Sequence, residues 1–170
     1  MKLEAPAFPK DFPIALRVQK ITYYPPHWHS KVLELLFVLE GEITVTMGFE
    51  QYTIEEGEFV VVNEEYLHYL HGNNGAVVAS LYLDMNFFEK HFENFKYVFF
   101  SCETMNISSR QRKQAERVRN LFMRIMFFML NRSTENYRQK IIKLGLMISY
   151  ILMYEFDMAF FYNGGEEIPH

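Results

Sequence analysis

The chain has 170 residues, 49% of them hydrophobic and 17% aromatic, enough to build a substantial core and too apolar for a disordered segment. Its formal charge of -4 and pI near 5.9 lack the basic excess of a domain that grips nucleic-acid phosphates. The single cysteine, Cys102, excludes an intrachain disulfide and a thiolate zinc cluster; it fits a reducing compartment and reads as a small buried hydrophobe or an ordinary thiol.

The first 13 residues, MKLEAPAFPKDFP, form an arm with no apolar run of signal-peptide length, broken by Glu4, Pro6, Pro9 and Pro13. From Ile14 to about Asp84 the apolar residues alternate with period 2. Ile43, Val45 and Met47 alternate with Thr44 and Thr46, and Val77, Ala79, Leu81 and Leu83 with Val78, Ser80, Tyr82 and Asp84. Turn signals separate the runs at Pro25-Pro26, Glu40-Gly41, Met47-Gly48, Glu56-Gly57 and Gly72 to Gly75. Short strands at this spacing predict a sandwich or barrel.

After Asp84 a short helix is expected over Asn86 to Phe92 and a last strand over Tyr97 to Ser101. A long helix follows from Ser108 or Ser109, with Ala115, Val118, Leu121, Phe122, Ile125, Met126 and Met129 at three- and four-residue steps. A second helix, capped by Ser133 or Thr134, is expected from Glu135 to Phe161, and the pair reads as an antiparallel hairpin. The closest approach to a membrane span, Leu144 to Tyr162, is broken by Glu155 and Asp157, so no membrane partner is expected and the cytoplasm is the default location. Residues 163–170, with Gly164 and Gly165, read as a linker.

The most specific local pattern is His27-Trp28-His29 with Glu34 five residues after the second histidine, then Gly41; His68 follows a separate turn and strand. Residues two apart on a strand share a side. Imidazole and carboxylate suit a borderline divalent ion such as zinc, nickel, manganese or iron, and three His with one Glu leave positions open on an octahedral ion. The alternative is structural, with the four side chains bonded to one another in a barrel that holds no metal.

The run HxHx4Ex6G formed by His27, His29, Glu34 and Gly41 resembles the first cupin motif, and GEFVVVNEEYLH from Gly57 to His68 resembles the second. Ile21 stands where a glycine usually precedes the first motif. Asn63 and Glu65 stand at the usual proline and glycine of the second, and Gly72 at the asparagine after it. The wording from His27 to Leu70 is similar to the sensor domains of AraC-type regulators. That resemblance implies an α+β, mainly β fold: a jelly-roll-like cupin barrel over 14–105, an antiparallel two-helix hairpin over 106–162 for dimerisation, and a linker toward an absent DNA-binding domain. It implies a small-molecule effector, often a sugar, bound in a cavity lined by His27, His29, Glu34, His68, Tyr24 and Tyr82. Such a domain requires no cofactor and no catalysis, and it meets DNA only through the absent part. The other classes are a metal-dependent cupin enzyme, a dioxygenase or isomerase, with His27, His29, Glu34 and His68 as ligands, and a purely structural cupin.

The arm over Leu3 to Phe12 can fold across the effector site or stay unstructured. Trp28, opposite the two histidines, reads as packing. Tyr23, Tyr66 and Tyr69 are further aromatic candidates for the cavity. Arg110, Arg112, Lys113, Arg117, Arg119 and Arg124 read as a solvated helix face. Leu121, Phe122, Ile125, Met126 and Met129 are expected to form a homodimer contact, because the run from Leu121 to Leu130 covers more than one helix face.

Overall fold

The computed structural model describes residues 1–101, 107–156, 159–163 and 166–169. Cys102 and the glycines Gly164 and Gly165 lie outside the described residues. Seven strands form the main sheet: β1 (Lys2–Leu3), β2 (Ile14–Trp28), β3 (Val32–Glu40), β4 (Glu42–Met47), β5 (Glu50–Glu55), β6 (Phe59–Val62) and β7 (His68–Asp84). β7 is its hub and pairs antiparallel with β2, β3 and β4. β6 lies against the other side of β3, β5 pairs with β4, and β1 runs parallel to the end of β2.

Alternation divides this sheet into two faces. Leu33, Leu35 and Phe37 of β3 join Phe59 and Val61 of β6 and Ala79, Leu81 and Leu83 of β7 in a core shared with the helices. Leu36, Val38, Val60, Val62 and Val78 turn the other way into a second core with Ile21, Ile43 and Val45. β3 is therefore buried on both faces, and Glu34 is the one carboxylate in its seven-residue buried run Val32 to Val38.

Two departures from the first and second motifs meet in space. The β2–β7 register breaks between Ile21 and Tyr23. A Cβ on Gly72 would lie 2.1 Å from the carbonyl oxygen of Ile21, so only glycine fits at residue 72.

Among the described residues there are three α-helices: α1 (Met85–Phe88), α2 (Ser109–Leu130) and α3 (Tyr137–Tyr150). α1 is shorter than expected; its N-cap is Asp84, whose side chain accepts from the Asn86 amide. α2 begins with a reciprocal capping box between Ser108 and Gln111. α2 packs against α3. Phe122 stacks on Phe37 at 3.7 Å, and a Cβ on Gly145 would meet Ile14 Cδ1 at 2.6 Å, so both helices sit close on the sheet. Five of the six basic residues of α2 are exposed and Arg119 is half-buried.

Two expectations need correction. The second helix starts at Tyr137, with Asn136 in its N-cap position rather than Ser133 or Thr134, and its α part ends at Tyr150. A π-helical turn, Ile151–Glu155, follows, and residues 159–163 are a strand rather than helix. The aromatic-rich segment β9 (Ala159–Asn163) pairs with β8 (Val98–Phe100), and β10 (Glu166–Pro169), in the segment read as a linker, pairs with β9. Cross-strand pairing wins over helical periodicity there.

The expected dimer face is covered by the chain itself. Leu121, Phe122, Ile125 and Met129 are buried in the chain's own core, and Met126 is half-buried against it. Helical spacing marks an apolar face without saying which surface covers it. The apolar side chains left exposed on these helices include Met123, Phe127, Leu130, Met147 and Tyr150. Among the described residues no helix is long and apolar enough to cross a membrane.

Candidate metal centre

β2 ends with His27 and Trp28, and His29 follows at once; β3 carries Glu34, and β7 opens with His68. His27 pairs across the ladder with His68, and Glu34 stands between Val62 and Tyr82. One ligand atom from each of His27, His29, Glu34 and His68 falls within 4.8 Å of the others, and all four residues are buried. The loops that bring them together are tied to each other. Glu65 donates its amide to the His29 carbonyl at 2.7 Å, and Lys31 donates its amide to the Glu64 carboxylate at 3.2 Å. Glu65 itself adopts φ 60°, the left-handed conformation for which glycine is usual at this motif position.

Each imidazole is oriented from its far side. Nδ1 of His27 donates to the Pro25 carbonyl at 2.9 Å, Nδ1 of His29 to the Glu4 carbonyl at 2.7 Å, and Nδ1 of His68 to the Tyr66 carbonyl at 2.9 Å. A carbonyl only accepts, so the Nδ1 atoms carry the protons and Nε2 is the inward nitrogen. His29 Nε2 also donates, to Glu34 Oε2 at 3.0 Å, which makes His29 an imidazolium paired with a carboxylate. Burial opposes the His29 cation, but Glu34 outweighs it and raises its pKa. Burial would also push Glu34 up, yet His29 and His68 hold it well below the usual carboxylate range. His27 goes the other way: burial first, and His68 beside it, lower its pKa to about 4, so it is neutral at pH 7.

The donor set fits a divalent ion. His68 Nε2 is buried 3.2 Å from Glu34 Oε2 and has no hydrogen-bond partner. An ion held by the three Nε2 atoms and Glu34 would satisfy it and replace the His29 proton.

The two tyrosines predicted for the cavity are both at the centre. The Tyr24 ring lies 4.7 Å from His27, and the Tyr82 ring 5.4 Å from His29. Tyr82 Oη is buried; burial, then the Glu34 charge, raises its pKa. Tyr23 and Tyr66 are exposed, and Tyr69 is half-buried. The arm is structured: Leu3 pairs with Trp28, and Glu4 donates its amide to the Trp28 carbonyl at 2.9 Å.

Two residues at this site escaped the sequence reading. The Glu4 carboxylate reaches to 4.0 Å from His27 Nε2, and Arg17 donates to it at 2.5 Å. A signal for Arg17 existed: period 2 places it on the face of Ala15, which pairs with Tyr82. Nothing in the sequence brings Glu4 there.

Residues 16–85 match the family profile of the cupin domain. Among solved structures, the chain is similar to KdgF from Halomonas sp. at 17% identity and a TM-score of 0.41, over 42% of this chain and 70% of that one. It is similar to protein NMB1881 from Neisseria meningitidis at 26% identity and a TM-score of 0.41, over 46% of this chain and 83% of that one. Oxalate decarboxylase from Bacillus subtilis, a protein with Mn(II) centres, aligns at 18% identity and a TM-score of 0.40, over 44% of this chain and 22% of its own. No curated protein matches the sequence. The strand-rich segment over residues 16–85, within a mostly-strand sheet that carries three helices, is a cupin domain.

Proposed function

We propose that this chain is the small-molecule-sensing part of an AraC-type transcription regulator, with a divalent metal at the His27, His29, Glu34 and His68 centre. The observation that carries this reading is the path of the arm. Glu4 touches the centre through both its carbonyl and its carboxylate. Phe8 packs beside Ala15 and Tyr82, and Phe12 enters the helix-side core. Arg138 of α3 then lies over the Phe12 ring at 5.3 Å and donates to the Lys10 carbonyl at 3.3 Å. One short segment thus contacts the ligand centre and a helix, and a ligand that favours one arm position over another shifts the helix contact with it. Homodimerisation would use the exposed Phe127, Leu130, Met147 and Tyr150, and DNA contact a further domain.

When bound, the metal would supply a Lewis-acid position for an oxygen of the ligand. The chain's own groups orient the imidazoles, keep His27 neutral and exclude water. The test is a thermal-stabilisation screen of sugars and small acids on metal-loaded protein, followed by hydrogen exchange with the best binder. Altered exchange both in residues 8–12 and at the start of α3 supports the sensor. Binding with no change at α3 counts against it.

A second reading, a metal-dependent dioxygenase or isomerase, draws on the unpaired His68 Nε2 and the donor set with open positions. Consumption of the bound molecule by iron- or manganese-loaded protein would favour it.

A further inference from the structure

The Glu4 carboxylate is held by a built site. Arg17 Nη1 donates to Oε1 at 2.5 Å, and Tyr24 Oη donates to the same carboxylate at 2.8 and 2.9 Å while accepting from Arg17 at 3.0 Å. The guanidinium carbon lies 4.9 Å from the Tyr24 ring centre and 5.6 Å from that of Tyr82. Arg17 Nε is buried and has no acceptor. A guanidinium nitrogen and a phenol converging on one carboxylate, and bonded to each other, form a recognition geometry that a solvent-exposed ion pair does not have. Glu4 Oε2 is 4.0 Å from His27 Nε2, within the span of two donors at about 2.1 Å each from one ion.

We propose that Arg17 and Tyr24 are a carboxylate subsite beside the metal centre, that Glu4 fills it as an internal stand-in, and that the ligand is a small organic acid. This rests on the reading of the centre as a ligand-binding metal site. Glu4 lies against His29 through its carbonyl and against His27 through its carboxylate, and the centre is buried, so a ligand carboxylate that takes the place of Glu4 must displace the arm. The arm is lightly attached for such a move. β1 is two residues long, and Lys2 and Leu3 are exposed. An uncharged sugar in this place would leave the Arg17 guanidinium facing no anion, at the cost of an unpaired, partly buried cation. An acid restores the bonds that Glu4 gives up, so the exchange is near balance and the ligand's concentration decides it.

The experiment uses the full chain, loaded with manganese and also metal-free, with metal content measured in every sample. The probes are galacturonate against galactose, and lactate against propane-1,2-diol. Each is read by thermal shift and by emission of Trp28, the chain's one tryptophan, which pairs with Leu3 of the arm. Both acids are expected to bind at least about tenfold more tightly than their uncharged partners, with a red shift as the arm leaves Trp28. Glu4→Ala removes the internal competitor and should tighten acid binding, by about tenfold if the arm is closed nine-tenths of the time. Arg17→Gln should abolish the preference for acids while metal content is unchanged. Tyr24→Phe, which removes only a hydroxyl, should weaken it and stands in if Arg17→Gln does not fold. Galactose binding as well as galacturonate, or Glu4→Ala weakening the acids, overturns the proposal. Failure of the chain to retain metal sinks the reading of the centre instead, and acid preference in metal-free protein still decides the subsite.

Discussion

His29 Nε2 donates a proton to Glu34 Oε2 across 3.0 Å, and that proton stands where a metal would bind. Loading the centre therefore expels it. Because the His29 pKa is raised, zinc affinity should climb about tenfold per pH unit until that pKa is passed, and then level off. His27 is neutral above about pH 5 and adds no slope there. Competition against a chelator of known affinity at several pH values gives the curve; an affinity flat from pH 5.5 to 7.5 would show that no proton is displaced.

Metal-free protein should be most stable near pH 6.5. His27 has a folded pKa of about 4 against 6.5 for a free histidine, so the unfolded chain takes up a proton that the folded chain refuses, and stability falls from pH 6.5 toward 4. His29 has the opposite sign: its raised pKa contributes stability below pH 6.5 that is lost as pH rises through the folded value. The Glu34 contribution is complete above its unfolded value and persists far into acid, because its folded pKa is well below the usual range. Urea unfolding with a chelator, from pH 4 to 8, should trace this maximum.

Glu34→Gln removes the charge that pairs with His29 while keeping the shape. Breaking a buried pair in this way should cost about 3 kcal/mol in metal-free protein and lower metal retention by at least about tenfold. Chemical denaturation and mass-spectrometric metal analysis check both. A Gln variant that keeps its stability and its metal would remove Glu34 from the centre.

Phe122 and Phe127 lie five residues apart on α2, about 140° around the helix, and should behave oppositely. Phe122 is fully buried against Phe37, and Phe122→Ala should cost about 3–5 kcal/mol. Phe127 is 58% exposed, and Phe127→Asp should change monomer stability by no more than about 0.5 kcal/mol. If the exposed face is a homodimer contact, sedimentation should show the Phe127→Asp protein as a monomer.

Asn63 forms two bonds to one residue, donating to the Phe100 carbonyl and accepting from the Phe100 amide, both at 2.8 Å. It fastens the loop before His68 to β8. Asn63→Ala should cost about 1–3 kcal/mol and raise hydrogen exchange in β8, read by mass spectrometry.

The centre was legible because its chemistry is local. Two histidines on one face of a strand, and one carboxylate inside the apolar run VLELLFV, can be counted along the chain. The strand pattern was legible for the same reason, since alternation needs only neighbours. Glu4 was not, because its place depends on a parallel two-residue strand that no periodicity announces. The end of α3 was missed because Leu152, Met153 and Phe156 continue the apolar spacing beyond the helix, and only pairing with β8 shows where it stops. Leu121, Phe122, Ile125 and Met129 were read outward because a stripe has no label for its partner.

Ile21 and Gly72, taken one by one, each look like drift from a familiar pattern. In space they are one feature, since the oxygen that excludes a side chain at residue 72 belongs to the backbone of residue 21. Changing the Ile21 side chain would not reopen the space. An asparagine fits at position 72 only if the register break in β2 moves with it. Sequence change at this corner is therefore coupled through the path of the chain, and a lineage could cross between the two arrangements only by shifting a strand.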